Sequence, residues 1–245
     1  MLFLTKFIEK VNLRRYPYEP KKYFVIFFIN SGLMFIGFTI DLIIHFLFIA
    51  IFSKHLSTIK SKSLIDKSLY KDSNILLIIF VICIIEPISE EIVFRKFLID
   101  RLALYSKKVS IFLSGLIYGI SHRNLQQFFG TMFSGWVYAY SYVETNNILI
   151  PISYHIIENS ITVIKKIKLI KSQTKSKNGI FMRYLRLIEC IFGIILLIKY
   201  RNNIKVSGEN NNSKDKWKLY KSYGMWIFII EGIIISFILY LKLFF

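Results

Sequence analysis

The chain has 245 residues, of which 54% are hydrophobic and 17% aromatic, and its mean hydropathy is +0.50. That is too apolar for a soluble domain of this length, and several runs approach or exceed the ~20 apolar residues that cross a bilayer. A net charge of +18 would point to nucleic acid in a soluble protein; here the basic residues cluster between apolar runs, so anionic membrane lipids are the expected partner and nucleic acid is not.

Residues 1–22 are short, basic and mixed, with Pro17 and Pro20 near their end, and read as an interfacial N-terminal arm. Residues 23–245 read as a single all-α domain, a polytopic transmembrane helical bundle of about seven apolar segments, multi-pass in the cell membrane. Residues 23–52 are the first span and carry Asp41 and His45 one turn apart, the spacing of a hydrogen-bonded pair facing another helix. Residues 53–73 are a polar loop with five lysines. Residues 74–106 form the second segment, with Glu86, Glu90, Glu91 and Arg95 at its centre. Pro87 lacks an N–H and clashes with the preceding turn, so a kink is expected just before the acids.

The third segment, 109–122, carries Gly115 and Gly119 at a spacing that lets helices approach closely. The fourth, 125–143, has small residues Gly130, Ser134 and Gly135 at helical spacing, and 144–147 follow as a polar turn. The fifth, 148–164, starts with Pro151 in its first turn and carries His155 and Asn159 one turn apart, beside Glu158. Residues 165–179 read as a lysine-rich loop, 180–200 as the sixth segment, 201–222 as a mobile polar stretch, and 223–245 as the seventh span, with an isolated Glu231. Basic loops fall on both sides of such a bundle; the orientation taken is N-terminus inside.

An ionisable group near a bilayer centre costs roughly 2.5–3.5 kcal/mol, so such groups pair, line a cavity or do chemistry. On a helix Glu91 and Arg95 face the same way and can pair, while Glu90 points away from Glu91 and is left free of Arg95. A bundle-holding salt bridge explains Glu91 and Arg95 as well as a catalytic part does; it explains Glu90 less well. Glu90, His122, His155 and Asn159 lie on three different apolar segments. Together they supply a base for water, a second group to share its proton, and two donors for a developing oxyanion, the inventory of an acyl-group hydrolase. Glu90, His122 and His155 also make up a zinc-type ligand set with an open fourth position. That runner-up has no H-E-x-x-H and leaves Asn159 without a part, so no cofactor or metal is expected.

These residues resemble the CAAX protease and bacteriocin-processing family of intramembrane glutamate proteases, type II CAAX prenyl endopeptidases among them. The resemblance rests on Glu90-Glu91-x-x-x-Arg95 preceded by Pro87, on Tyr118-x-x-x-His122, and on His155-x-x-x-Asn159, in that order. It covers about residues 86–160, and the catalytic core is placed at about 74–165. It implies that Glu90 and His122 activate water, that His155 and Asn159 hold the oxyanion, and that Glu91 and Arg95 support the site. It also implies an all-α membrane bundle cleaving a peptide or lipidated protein, in bacteriocin or peptide processing or in self-immunity. Lys96 stands where a glycine is common, Tyr118 where a phenylalanine is usual, and Glu86 where an apolar residue is usual. Two other classes compete: a non-catalytic bacteriocin-immunity protein, against which the complete polar set argues, and a proton-coupled transporter, which inverted repeats would favour and which shows none here.

Overall fold

In the computed structural model, described for residues 19–52, 75–171, 177–206 and 223–241, every regular element is helical. Helix α1 (Pro20–Phe52) is followed by α2 (Ile75–Phe80), a π-helical turn (Val81–Ile85), α3 (Glu86–Glu91), a second π-helical stretch (Ile92–Ile99) and α4 (Asp100–Leu102). Then come α5 (Lys107–Ser121), α6 (Phe128–Thr145), α7 (Leu149–Lys171), α8 (Lys177–Tyr200) and α9 (Tyr223–Leu241). Among the described residues, two of the seven apolar segments expected become helices long and apolar enough to cross a membrane, Pro20–Ile51 and Tyr223–Leu241. Tyr223–Leu241 is exposed over most of its length, while Pro20–Ile51 buries Ile26, Ile29 and Asp41 on one side and exposes Leu42, Phe46 and Ile51 on another.

Several boundaries differ from the sequence reading. The stretch taken as a loop at 165–179 is mostly helix: α7 continues to Lys171 and α8 begins at Lys177. Lysine is a good helix former, so a lysine-rich sequence does not by itself end a helix. The second segment ends at Leu102 rather than at Ser106, which caps the next helix by accepting a hydrogen bond from the Val109 N–H at 3.3 Å. Glu144 and Thr145 belong to α6, whose end is made by Asn146 in the left-handed region at φ 49°. The expected arm up to residue 18, the 53–73 loop and the mobile stretch beyond 206 lie outside the described residues.

Glycine sets the depth at which the helices meet. A Cβ on Gly135 would lie 2.8 Å from the Gly115 Cα, so α5 and α6 touch backbone to backbone where the small-residue spacing predicted a close approach. A Cβ on Gly32 would lie 2.7 Å from the Ile194 nitrogen, which brings α8 equally close to α1. Helix α6 is thereby enclosed between α5 and α1. Its N-terminus has no side-chain cap of its own. The buried Asp41 of α1 provides one, accepting from the Phe129 N–H at 3.0 Å and the Gly130 N–H at 3.1 Å. His45 shares a 2.7 Å hydrogen bond with the Tyr240 hydroxyl of α9. The expected pair facing one other helix is thus found split: Asp41 bonds to α6 and His45 to α9.

A candidate active site between the acidic turn and two histidines

The acidic stretch begins where the helix changes its hydrogen bonding. In the π-helical turn the Glu86 N–H reaches back five residues to the Val81 carbonyl instead of four. Pro87 follows at the start of α3. Where a kink was expected, a widened turn stands just before this proline and makes room for a ring that an ordinary turn would clash with. One turn on, Glu90 and Glu91 leave the helix in different directions.

Glu91 points into the bundle. It is fully buried, as is Arg95, and the Arg95 Nε lies 2.9 Å from Glu91 Oε2, the ion pair that the four-residue spacing predicted. The contact is ionic rather than an aligned hydrogen bond, since neither atom has a hydrogen-bond partner among the described residues. The guanidinium is held further by the Gly135 carbonyl, which accepts from Nη2 at 3.4 Å. It also lies 4.9 Å from the ring centre of Tyr118 and 5.5 Å from that of Tyr138.

The other oxygen of Glu91 fixes a histidine. His155 Nδ1 lies 3.1 Å from Glu91 Oε1. A carboxylate paired with arginine can only accept, so Nδ1 carries the proton and His155 turns Nε2 towards the cavity. There Nε2 lies 3.3 Å from the Tyr118 hydroxyl and 3.9 Å from Glu90 Oε2. Tyr138 stacks on the imidazole with ring centres 5.5 Å apart. His122, at the end of α5, is oriented by the same logic: its Nδ1 donates to the Tyr118 carbonyl at 2.8 Å, which leaves Nε2 as its free nitrogen. The Tyr118 ring stands between the two histidines, 4.7 Å from His122 and 6.0 Å from His155, centre to centre.

Glu90, His122, His155 and Asn159 line one cavity of about 450 Å³, together with Glu86, Tyr118, Tyr138 and Glu158. Glu90 Oε2 is buried there without a hydrogen-bond partner among the described residues. Asn159 donates from Nδ2 to the Ile82 carbonyl at 2.9 Å, across to the π-helical turn. Among the described residues no three His, Cys, Asp or Glu side chains gather as a ligand set.

Sequence reasoning missed the hydroxyl of Tyr118, the stacking of Tyr138 and the place of Glu158 in the cavity wall. Glu158 accepts from Ser31 Oγ of α1 at 3.0 Å, which ties α7 to α1 behind the site. The signal for Tyr118 and Tyr138 was available: each puts a hydroxyl on a helix face that packing requires to be apolar, and such a group must find a partner.

Residues 72–161 match the model of a family described as "Type II CAAX prenyl endopeptidase Rce1-like". The stretch that carried the resemblance, 86–160, falls inside it, and so does every side chain of the site named above except those of α1. The chain is similar to "Putative membrane peptidase YdiL" of Bacillus subtilis (strain 168), with 32% identity over 105 residues, 42% of either chain. It is also similar to "Membrane-embedded CAAX protease MroQ" of Staphylococcus aureus (strain USA300), with 29% identity over 116 residues, 42% of this chain and 46% of the relative. The matched stretches thus span less than half of each relative. No solved structure matches.

Proposed function

We propose that the chain is a multi-pass peptidase of the cell membrane that cleaves a membrane-associated peptide or lipidated protein, with Glu90 as the base. The observation that carries this reading is the gathering of Glu90, His122, His155 and Asn159 on one cavity within the stretch that matches the peptidase family. The similar proteins, one named a putative membrane peptidase and the other a CAAX protease, favour the same class.

The chemistry follows from the atoms left available. Glu90 Oε2, which no donor among the described residues occupies, takes a proton from water while His122 Nε2 accepts the hydrogen bond that aligns it. The water oxygen bonds to the scissile carbonyl carbon, whose π electrons move onto its oxygen. Asn159 and His155 face that oxygen, Asn159 with the second N–H of its amide and His155 through Nε2, which donates when the ring carries both protons. When the carbon–nitrogen bond breaks, Glu90 returns its proton to the departing amine. Glu91 and Arg95 hold His155 and the acidic turn in place. The reaction is drawn without a metal or other cofactor. Lys22, Lys108, Lys199 and Lys205 stand where α1 and α5 begin and α8 ends, and offer anionic head groups their partners. Peptide processing linked to bacteriocin production or self-immunity is the physiological setting proposed.

The test is cleavage itself. Protein in nanodiscs is given membrane-tethered peptides, and new termini are sought by mass spectrometry. Wild type is expected to generate them and Glu90→Gln to generate none; termini that form equally with both would end the proposal.

A further inference from the structure

The hydrogen bonds of the π-helical turn leave one carbonyl unaccounted for, and its partner is a residue of the site. In an α turn the Ile82 carbonyl would accept from the Glu86 N–H, but that N–H goes to Val81. In a π turn it would accept from residue 87, which is a proline with no N–H to give. The helix therefore has no donor for Ile82. A partly buried carbonyl left without a partner is costly, and the helix's own apolar side chains offer none. Asn159 Nδ2 supplies it, 2.9 Å away and from a different helix.

We infer that Asn159 is the positioning residue of the acidic turn: its amide replaces the main-chain donor that the π turn and Pro87 together remove, and so fixes where Glu90 stands. The widened turn, the proline and the asparagine form one device. Without the π turn or the proline, Ile82 would have a donor in its own helix. Without Asn159, the turn would be free to rewind so as to satisfy Ile82, and Glu90, two turns on, would rotate with it. An asparagine amide has two N–H groups, so this role leaves one for the cavity. The positioning of Glu90 as base rests on the function proposed above; the accounting of the Ile82 carbonyl does not.

The test restores the missing donor. Pro87→Ala gives the helix an N–H five residues after Ile82, which makes Asn159 dispensable for this purpose. In substrate-free protein, where no oxyanion exists, Asn159→Ala is expected to lower Tm by about 3–8 °C. Pro87→Ala with Asn159→Ala is expected to recover that loss and to regain at least about tenfold of the turnover lost in Asn159→Ala alone, with KM unchanged. An unchanged Tm in Asn159→Ala overturns the inference, whether or not Pro87→Ala folds. A lowered Tm that the double variant does not recover overturns it too, and a recovered Tm without recovered turnover overturns the positioning role. Because the Tm comparisons need no catalysis, failure of the device and failure of the proposed activity are distinguishable.

Discussion

Glu91 lies 3.1 Å from His155 through one carboxylate oxygen and 2.9 Å from Arg95 through the other. The ion pair that the sequence suggested is thus a bridge between the acidic turn and α7, and it sets which nitrogen of His155 faces the cavity. Structure and chemistry meet in one buried carboxylate, because its charge is balanced by Arg95 and its remaining lone pairs orient the imidazole.

Arg95→Ala leaves that carboxylate buried without its cation. Removing one partner of a buried pair typically costs about 3–5 kcal/mol. The expected outcome is less folded protein in the membrane and a lower Tm, measured by abundance and thermal unfolding in detergent. Arg95→Lys keeps the charge but lacks the planar fork that reaches both Glu91 and the Gly135 carbonyl, so it should recover only part of the loss. Normal abundance with selectively lost activity would show that Arg95 acts in the chemistry instead.

Tyr118 separates a ring from a hydroxyl. The ring packs against Arg95, His122 and His155, while the hydroxyl meets His155 Nε2. Tyr118→Phe should therefore keep the fold and turnover within about tenfold of wild type, since one hydrogen bond is worth roughly 0.5–1.5 kcal/mol. Tyr118→Ala should destabilise by about 3–5 kcal/mol through the cavity it leaves. Urea or thermal unfolding of the two variants checks the contrast, and equal losses would contradict it.

How much of this was legible in the sequence depended on whether the partner was local. Glu91 and Arg95 are a turn apart on one helix, so spacing alone paired them. Glu90, His122, His155 and Asn159 could be grouped because polar groups on apolar segments need a common place to go. Asp41 was visible as an anomaly, but its partners are backbone amides of α6, 88 and 89 residues on, and no side-chain pattern announces an uncapped helix end. The same holds for the Ile82 carbonyl, whose need arises from a change of helix type rather than from any side chain. The lysine-rich composition of 165–171 suggests a loop, although lysine is a good helix former and α7 runs on to Lys171.

Metal dependence divides the glutamate mechanism from the zinc reading. Strong chelators should leave the turnover of purified protein unchanged, followed as peptide cleavage before and after dialysis. If chelation removes activity and zinc restores it, Glu90, His122 and His155 must be reassigned as ligands, and Asn159 loses its part in catalysis.

Glu90→Gln tests the central claim most directly. The amide keeps the size and shape of the side chain and removes its capacity to take a proton from water. Binding of a substrate peptide and its single-turnover cleavage should be measured on the same preparation in nanodiscs. The account predicts wild-type binding with no detectable cleavage. Cleavage by Glu90→Gln at a rate near that of wild type would contradict it.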